Sequence, residues 1–255
     1  MSLLSILEIN SLYKRFGGLE ATKNVSFSVR QGEILGILGP NGAGKTTLFN
    51  QIAGATAPTS GSIIYNGINI TGLKANVIAN RGIARTFQIP KPLHGLSVLE
   101  NVLVPCYSSR TTEMLGSRKA VSGWAQTVLA TVELDSKAHL PVERLTHGEL
   151  KKLEMAKALA LKPEMIMLDE PFAGLGIQEV APISGAIRNM NIHHGLTVLI
   201  IEHKLKEFMK LVHRVVALNY GEKIAEDTPA QIISNPLVIE AYLGKGGADI
   251  AAFGN

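Results

Sequence analysis

Gly39-Pro40-Asn41-Gly42-Ala43-Gly44-Lys45-Thr46 fits the pattern G-x-x-x-x-G-K-[ST], and each residue type in it has a chemical use. Glycines let successive backbone N–H groups turn inward around an anion. A helix that starts at the end of such a loop presents its positive end to phosphates. Lys45 is placed to reach β- and γ-phosphates, and the Thr46 hydroxyl suits Mg²⁺, with Thr47 beside it. Alone, the loop specifies a nucleoside triphosphate and no more. Its bland alternative is a glycine turn with an incidental lysine.

A second site follows the run Met165-Ile166-Met167-Leu168, which ends in Asp169-Glu170. Four apolar residues read as a core strand, so Asp169 emerges at its C-terminal end, where doubly wound sheets hold their ligands. Asp169 is therefore placed to hold Mg²⁺ through its water shell. Glu170, one residue on, could polarise an attacking water. Two solvated acids at a strand end would look the same in isolation. The upstream loop favours the chemical reading.

These residues need elements to position them. Val25, Phe27 and Val29 alternate with Ser26, Ser28 and Arg30, as in a half-buried strand. Ile34 to Leu38 is almost wholly apolar, as a strand buried on both faces requires, and it leads directly into the glycine loop. Gly61 to Ile70 reads as a hairpin turning at Asn66-Gly67. From Pro90 to Arg144 the strand signal fades, and helices are expected at Val98 to Val104 and Ala120 to Glu133. Beyond it a helix at Thr146 to Leu161, a strand at Met165 to Leu168, a helix around Val180 to Met190, a strand at Thr197 to Ile201 and a further helix alternate. That order implies an α/β fold with a parallel sheet covered by helices. The expected organisation is a core formed by 1–89 and 146–255, with 90–145 as an inserted helical subdomain.

Composition narrows the classes. The 255 residues are 46% hydrophobic and 18% charged, enough apolar material for a folded core. The formal net charge of +4 is spread along the chain without a dense basic run, so no nucleic-acid partner is expected. The one cysteine, Cys106, cannot form an internal disulfide, which suits a reducing compartment. No apolar run approaches the ~18 residues of a membrane span. The first ten residues lack the pattern of a secretory leader. Any link to a membrane is therefore expected through a partner. The Gly/Ala-rich tail from Gly244 to Asn255 is expected to be loose.

With these residues in place, the chain resembles the nucleotide-binding domain of ABC transporters along nearly its whole length. The resemblance implies a P-loop NTPase core of RecA-like type with a parallel sheet, an N-terminal antiparallel β subdomain and an inserted α-helical subdomain. It implies ATP and Mg²⁺ as ligands, bound by Gly39 to Thr47. Phe16 stands where the family stacks a ring on adenine; the alternative is that Phe16 and Tyr13 are each plain core aromatics. Gln88, in Arg85-Thr86-Phe87-Gln88, matches the glutamine that touches Mg²⁺ and water near the docked membrane subunit. Asp169 and Glu170 match the metal-binding acid and the catalytic glutamate, and His203 matches the switch histidine. Leu145-Thr146-His147-Gly148-Glu149 lies where the family carries its signature, usually Leu-Ser-Gly-Gly-Gln. The nucleotide-contacting positions there are Thr146, Gly148 and Glu149. Ala173-Gly174-Leu175-Gly176 matches the loop that crosses the dimer interface.

Two stretches narrow the match. Gly82 to Gln88 and the ending Asn235 to Gly244 are similar to the ATPases of importers for branched-chain amino acids and related amides. The implied partners are membrane permease subunits, a second nucleotide-binding domain, identical or related, and indirectly an extracytoplasmic substrate-binding protein. The implied location is the cytoplasmic side of the cell membrane. The chain departs from the family at Thr146, His147 and Glu149 in the signature and at Gly176, where Asp or Asn is usual. Thr146-x-x-Glu149 is also a capping box that would open an ordinary helix. His94, His139, His193, His194 and His213 lack metal-site spacing and read as surface or helix-end residues. The competing function is a soluble ABC-type ATPase outside transport, which would usually bring long coiled-coil insertions or tandem motor domains. The sequence has a single phosphate loop and no sustained heptads. A non-hydrolysing nucleotide module is disfavoured by Glu170 and His203, and a GTPase by the lack of Asn-Lys-x-Asp.

Overall fold

A computed structural model describes residues 4–243. The expectations for the tail from Gly244 and for the first three residues lie outside the described residues. The chain divides into two compact units, one formed by 4–75 with 199–243 and the other by 76–198.

In chain order the first part of unit one contains β1 (Ser5–Phe16), β2 (Leu19–Arg30), β3 (Ile34–Leu38), α1 (Lys45–Ile52), β4 (Ser60–Tyr65) and β5 (Ile68–Asn69). Then come α2 (Ala75–Asn80), β6 (Ile83–Arg85), α3 (Val98–Cys106), α4 (Ser109–Leu115), α5 (Arg118–Thr131), α6 (His147–Ala160), β7 (Met165–Asp169) and α7 (Ile177–His194). The chain passes back into unit one within β8 (Thr197–Ile201) and continues as α8 (Leu205–Leu211), β9 (Arg214–Asn219), β10 (Glu222–Asp227), α9 (Pro229–Ser234) and α10 (Pro236–Leu243).

In unit one, β2, β1, β4 and β5 form an antiparallel sheet in that order. The expected alternation is present: Val25, Phe27 and Val29 are buried, and they face Leu12, Ile9 and Leu7 of β1 in register. Asn66 and Gly67 turn the β4–β5 hairpin with φ of 48° and 74°, the paired positive values of a type I′ turn. All five residues of β3 are buried, and β3 pairs parallel with β9, which pairs antiparallel with β10. A buried ion cluster locks this part together. Arg214 grips both oxygens of Glu33 at 2.7 and 2.9 Å, donates to the Ser28 carbonyl at 2.6 Å and pairs with Glu226.

Unit two is built on β6 and β7, paired in parallel, with all five residues of β7 buried. Helices α3, α4 and α5 occupy 98–131, inside the stretch expected to be helical, and α3, α5 and α6 pack on one another. Ser97 and Glu100 form a capping box that starts α3. Trp124 of α5 donates from its indole to the Ala160 carbonyl at 3.1 Å, with the Lys162 ammonium 4.4 Å from its ring centroid.

Boundaries moved by a few residues. The apolar spacing places a helix at 180–190, yet α7 begins at Ile177 and continues past Pro182. Its start is set by a cap rather than by the pattern: Glu179 accepts the Gly176 N–H at 2.7 Å, satisfying a donor that the helix itself cannot. Pro182 costs one backbone hydrogen bond and does not end the helix. Similarly α5 runs over 118–131, because Ser117 caps it earlier than the apolar pattern begins.

Candidate nucleotide site

The glycine loop lies in unit one between β3 and α1. Gly39, Gly42 and Gly44 have φ of 154°, 82° and 98°, values that L side chains rarely adopt. At Gly39 a side chain is also excluded by space: a Cβ would lie 2.3 Å from the Leu218 carbonyl oxygen. At Gly44 a Cβ would lie 2.3 Å from the Ala21 carbonyl oxygen. The loop is therefore clamped between β2 and the β9–β10 turn, and Gly221 donates its N–H to the Ala43 carbonyl at 3.1 Å.

Lys45 is only 6% exposed, and its ammonium donates to the carbonyls of Gly39 (2.7 Å) and Pro40 (3.0 Å). The loop thus curls around its own lysine, at a place where a phosphate oxygen would compete for the same three donors. Asn41, Gly42 and Thr46 are exposed, while Ala43 is buried and Thr47 half-buried. Phe16 ends β1 with 51% of its surface exposed and the Lys14 ammonium 4.9 Å from its ring centroid. The core reading of Phe16 therefore fails. Tyr13 is half-buried.

His203 also belongs to unit one, exposed just after β8. The turn that presents it is held by Glu202, a buried acid whose carboxylate accepts the N–H groups of His203 (2.8 Å) and Lys204 (3.2 Å). Sequence reasoning missed Glu202. Its only trace is an acid directly after an apolar strand.

The acid pair and the signature segment lie in unit two. Asp169 ends β7 and is 6% exposed, in a 2.8 Å ion pair with Arg85 of β6. The parallel register Arg85↔Met167 brings the guanidinium level with the end of β7. Glu170 takes φ of 50°, an uncommon backbone state for a residue with a side chain, and its carbonyl accepts the Ala173 N–H at 3.1 Å in a tight turn. Its carboxylate accepts the Gln88 Nε2–H at 2.6 Å. So two residues that the sequence marked separately meet. The buried Lys151 of α6, which sequence reasoning missed, donates to the Gln88 carbonyl at 2.5 Å and reaches the Glu170 carbonyl at 3.5 Å. Glu154 and Lys157 of the same helix hold the Lys91 backbone at 3.1 and 2.7 Å. The helix that opens at the signature therefore grips the segment after Gln88.

The signature itself forms the capping box its spacing predicts. Thr146 Oγ1 accepts the Glu149 N–H at 3.3 Å, and Glu149 accepts the Thr146 N–H at 3.0 Å. Glu149 also pairs with Lys137. Partial burial pushes the Glu149 carboxyl upward, but the Lys137 ammonium and the Thr146 N–H outweigh it and hold it below its ordinary value. The carboxylate that replaces the family's glutamine is therefore committed to a lysine and a helix cap. His147 folds over the next loop, with Nε2 3.4 Å from the Ala173 carbonyl oxygen. A Cβ on Gly174 would lie 3.0 Å from that nitrogen. Gly148 sits in the first turn of α6, where a Cβ would come 3.3 Å from Glu179 Oε1.

A buried strand feeding a glycine loop and helix, with a second strand ending in two acids, defines a P-loop NTPase of α/β architecture. Residues 22–173 match the family model described as ABC transporter, and residues 222–248 match the one described as Branched-chain amino acid ATP-binding cassette transporter. The chain is 38% identical over 250 residues to the high-affinity branched-chain amino acid transport ATP-binding protein LivG of Salmonella typhimurium, covering 94% of this chain and 98% of LivG. The crystal structure of the ADP conformation of MJ1267, an ATP-binding cassette of an ABC transporter, matches at 31% identity with a TM-score of 0.85 over 95% of this chain and 100% of that one. A dimeric post-hydrolysis state of the cassette MJ0796, bound to ADP and Pi, matches at 26% identity with a TM-score of 0.75 over 88% and 98%.

The chain belongs to the ABC transporter family, and its C-terminal segment to the branched-chain amino acid ATP-binding cassette group. It is an ATP-hydrolysing subunit of an importer of that family, a class that dimerises and works with membrane permease subunits. No helix among the described residues is long and apolar enough to cross a membrane.

Proposed function

We propose that this subunit powers uptake of branched-chain amino acids or closely related small amides, from the cytoplasmic face of the membrane, as one half of a head-to-tail ATPase dimer. The observation that carries the nucleotide chemistry is the Lys45 ammonium, held at the mouth of its glycine loop by the Gly39 and Pro40 carbonyls. Polyphosphate would take over those donors, with the loop N–H groups and the start of α1 completing the cradle. Phe16 offers an exposed ring face for adenine. Thr146, Gly148 and Glu149 would meet the γ-phosphate of the opposite subunit. Neither half-site is complete alone, so closure depends on ATP.

Thr46, Asp169 and Gln88 each carry the kind of oxygen that a small, hard divalent cation takes: a hydroxyl, a carboxylate and an amide oxygen whose nitrogen faces Glu170. Those residues would hold Mg²⁺, which neutralises charge on the phosphates. Glu170 orients and activates the attacking water, and His203 helps to position it. The Gln88–Glu170 contact lets the segment around Gln88 report to the catalytic carboxylate. Exposed apolar residues flank it: Phe87, Ile89 and Leu93, with Ile89 72% exposed. That patch supports permease docking at this segment, and movement there would couple closure to the membrane subunits.

The cargo reading is supported by the likeness to LivG, a branched-chain amino acid transport ATP-binding protein, and by the C-terminal module. An extracytoplasmic binding protein would deliver the cargo, and the second motor would be an identical or related chain. The test is purification of this chain with its permease subunits and reconstitution into vesicles containing ATP. Uptake of leucine, isoleucine or valine, lost with Lys45→Ala, is expected. An assembly that hydrolyses ATP but moves none of them would overturn the cargo assignment.

A further inference from the structure

The C-terminal segment contains one residue that reaches the phosphate loop itself. Tyr242 of α10 places its hydroxyl oxygen 3.0 Å from the Gly39 nitrogen and accepts that N–H. Gly39 is the first residue of the loop and sits at φ 154°, against the Leu218 carbonyl. Its own carbonyl takes the Lys45 ammonium at 2.7 Å. Gly39 is therefore held on both sides, its carbonyl by Lys45 of α1 and its N–H by Tyr242 of α10.

These two restraints differ in what nucleotide does to them. On the reading above, Lys45 leaves the Gly39 and Pro40 carbonyls when it moves to phosphate. The Tyr242 hydroxyl bonds the N–H and not the carbonyl that Lys45 leaves, so it has no reason to move. That N–H is already committed, so it does not point at the ligand, and the cradle is formed by later amides. The hydroxyl thereby preserves the loop's entry geometry at the step when its other restraint is withdrawn. Docking of α10 does not depend on this contact, because Val238 is buried on the same helix and Asn235 Oδ1 accepts the N–H groups of Leu237 (3.0 Å) and Val238 (3.4 Å). Tyr242 lies within the C-terminal module matched at 222–248, a segment with no place in the chemistry described so far.

We propose that Tyr242 is a positioning residue for the phosphate loop: its hydroxyl presets the Gly39 peptide and so sets the affinity of the site for nucleotide polyphosphate. The inference rests on the nucleotide reading of 39–46. It assigns a task to the module that distinguishes this group of ATPases, namely a strut from the C-terminal helix to the loop.

Tyr242→Phe in the full chain removes one oxygen and keeps the ring. The bond is kept in both states, so its loss reaches Kd only through the non-binding loop conformers that the nucleotide-free variant then populates; if about one free loop in five keeps the binding geometry, Kd for Mg·ADP rises roughly fivefold by titration calorimetry, with KM for ATP raised in step and kcat changed less than about twofold. A merely structural contact would lower the melting temperature and leave Kd unchanged, and that result would overturn the proposal. A second measurement needs no variant. In the ¹⁵N-labelled parent without nucleotide, the Gly39 amide should be protected from exchange; free exchange would also overturn it. A parent that binds no Mg·ADP would instead refute the nucleotide reading, so the two failures are distinguishable.

Discussion

Gln88 and Glu170, 82 residues apart, share a 2.6 Å hydrogen bond in which the amide Nε2 donates to the carboxylate Oε2. Lys151 holds the backbone carbonyls of the same two residues, so the contact is braced from α6 as well. If Gln88 orients the catalytic carboxylate, Gln88→Ala should slow ATP hydrolysis by roughly tenfold, the scale of one hydrogen bond to a charged group. It should also abolish the response of hydrolysis to added permease. Steady-state phosphate release with and without the permease subunits measures both.

Arg85→Met should leave the Asp169 carboxylate buried without its cation. Removing one partner of a buried pair costs on the order of 3 kcal/mol. Urea denaturation of the nucleotide-free chain, followed through Trp124 fluorescence, should show that loss. Addition of Asp169→Asn should restore most of it, because the remaining group is then neutral. A loss below about 1 kcal/mol in the single variant would mean that the pair does not stabilise this unit.

Acid should destabilise the protein partly through Glu33. Burial pushes its carboxyl upward, but the hydrogen bond from Arg214, the Arg30 N–H and the nearby positive charges outweigh it, and the net shift is below the ordinary 4.5. A depressed folded value gives stability that is fully present above 4.5 and is lost as pH falls through the folded value. Melting temperature measured between about pH 6 and 3 should fall less steeply for Glu33→Gln than for the parent. Equal slopes would remove Glu33 from the account.

What the sequence made legible was local. The β3–loop–α1 order, the apolar run into Asp169-Glu170 and the Thr146/Glu149 box each depend on neighbours within a few residues, so pattern and spacing suffice. Arg85, Lys151, Glu202 and Tyr242 were not legible as functional residues. Three of them act through partners far away in sequence: Arg85 on Asp169, Lys151 on Gln88 and Glu170, Tyr242 on Gly39. Glu202 is local, but only its burial distinguishes it from a solvated acid. The partner of Glu149, Lys137, is also visible only in three dimensions. The start of α7 was misplaced because a cap on Gly176, not apolar spacing, sets it.

The central claim is that Glu170 performs the chemistry of an ATPase whose loop at 39–46 holds the nucleotide. The most direct measurement is phosphate release by Glu170→Gln beside a binding assay with ATP. The account predicts hydrolysis at least ~100-fold slower with ATP still bound, since only the general base is lost. Hydrolysis at the parent rate would contradict it.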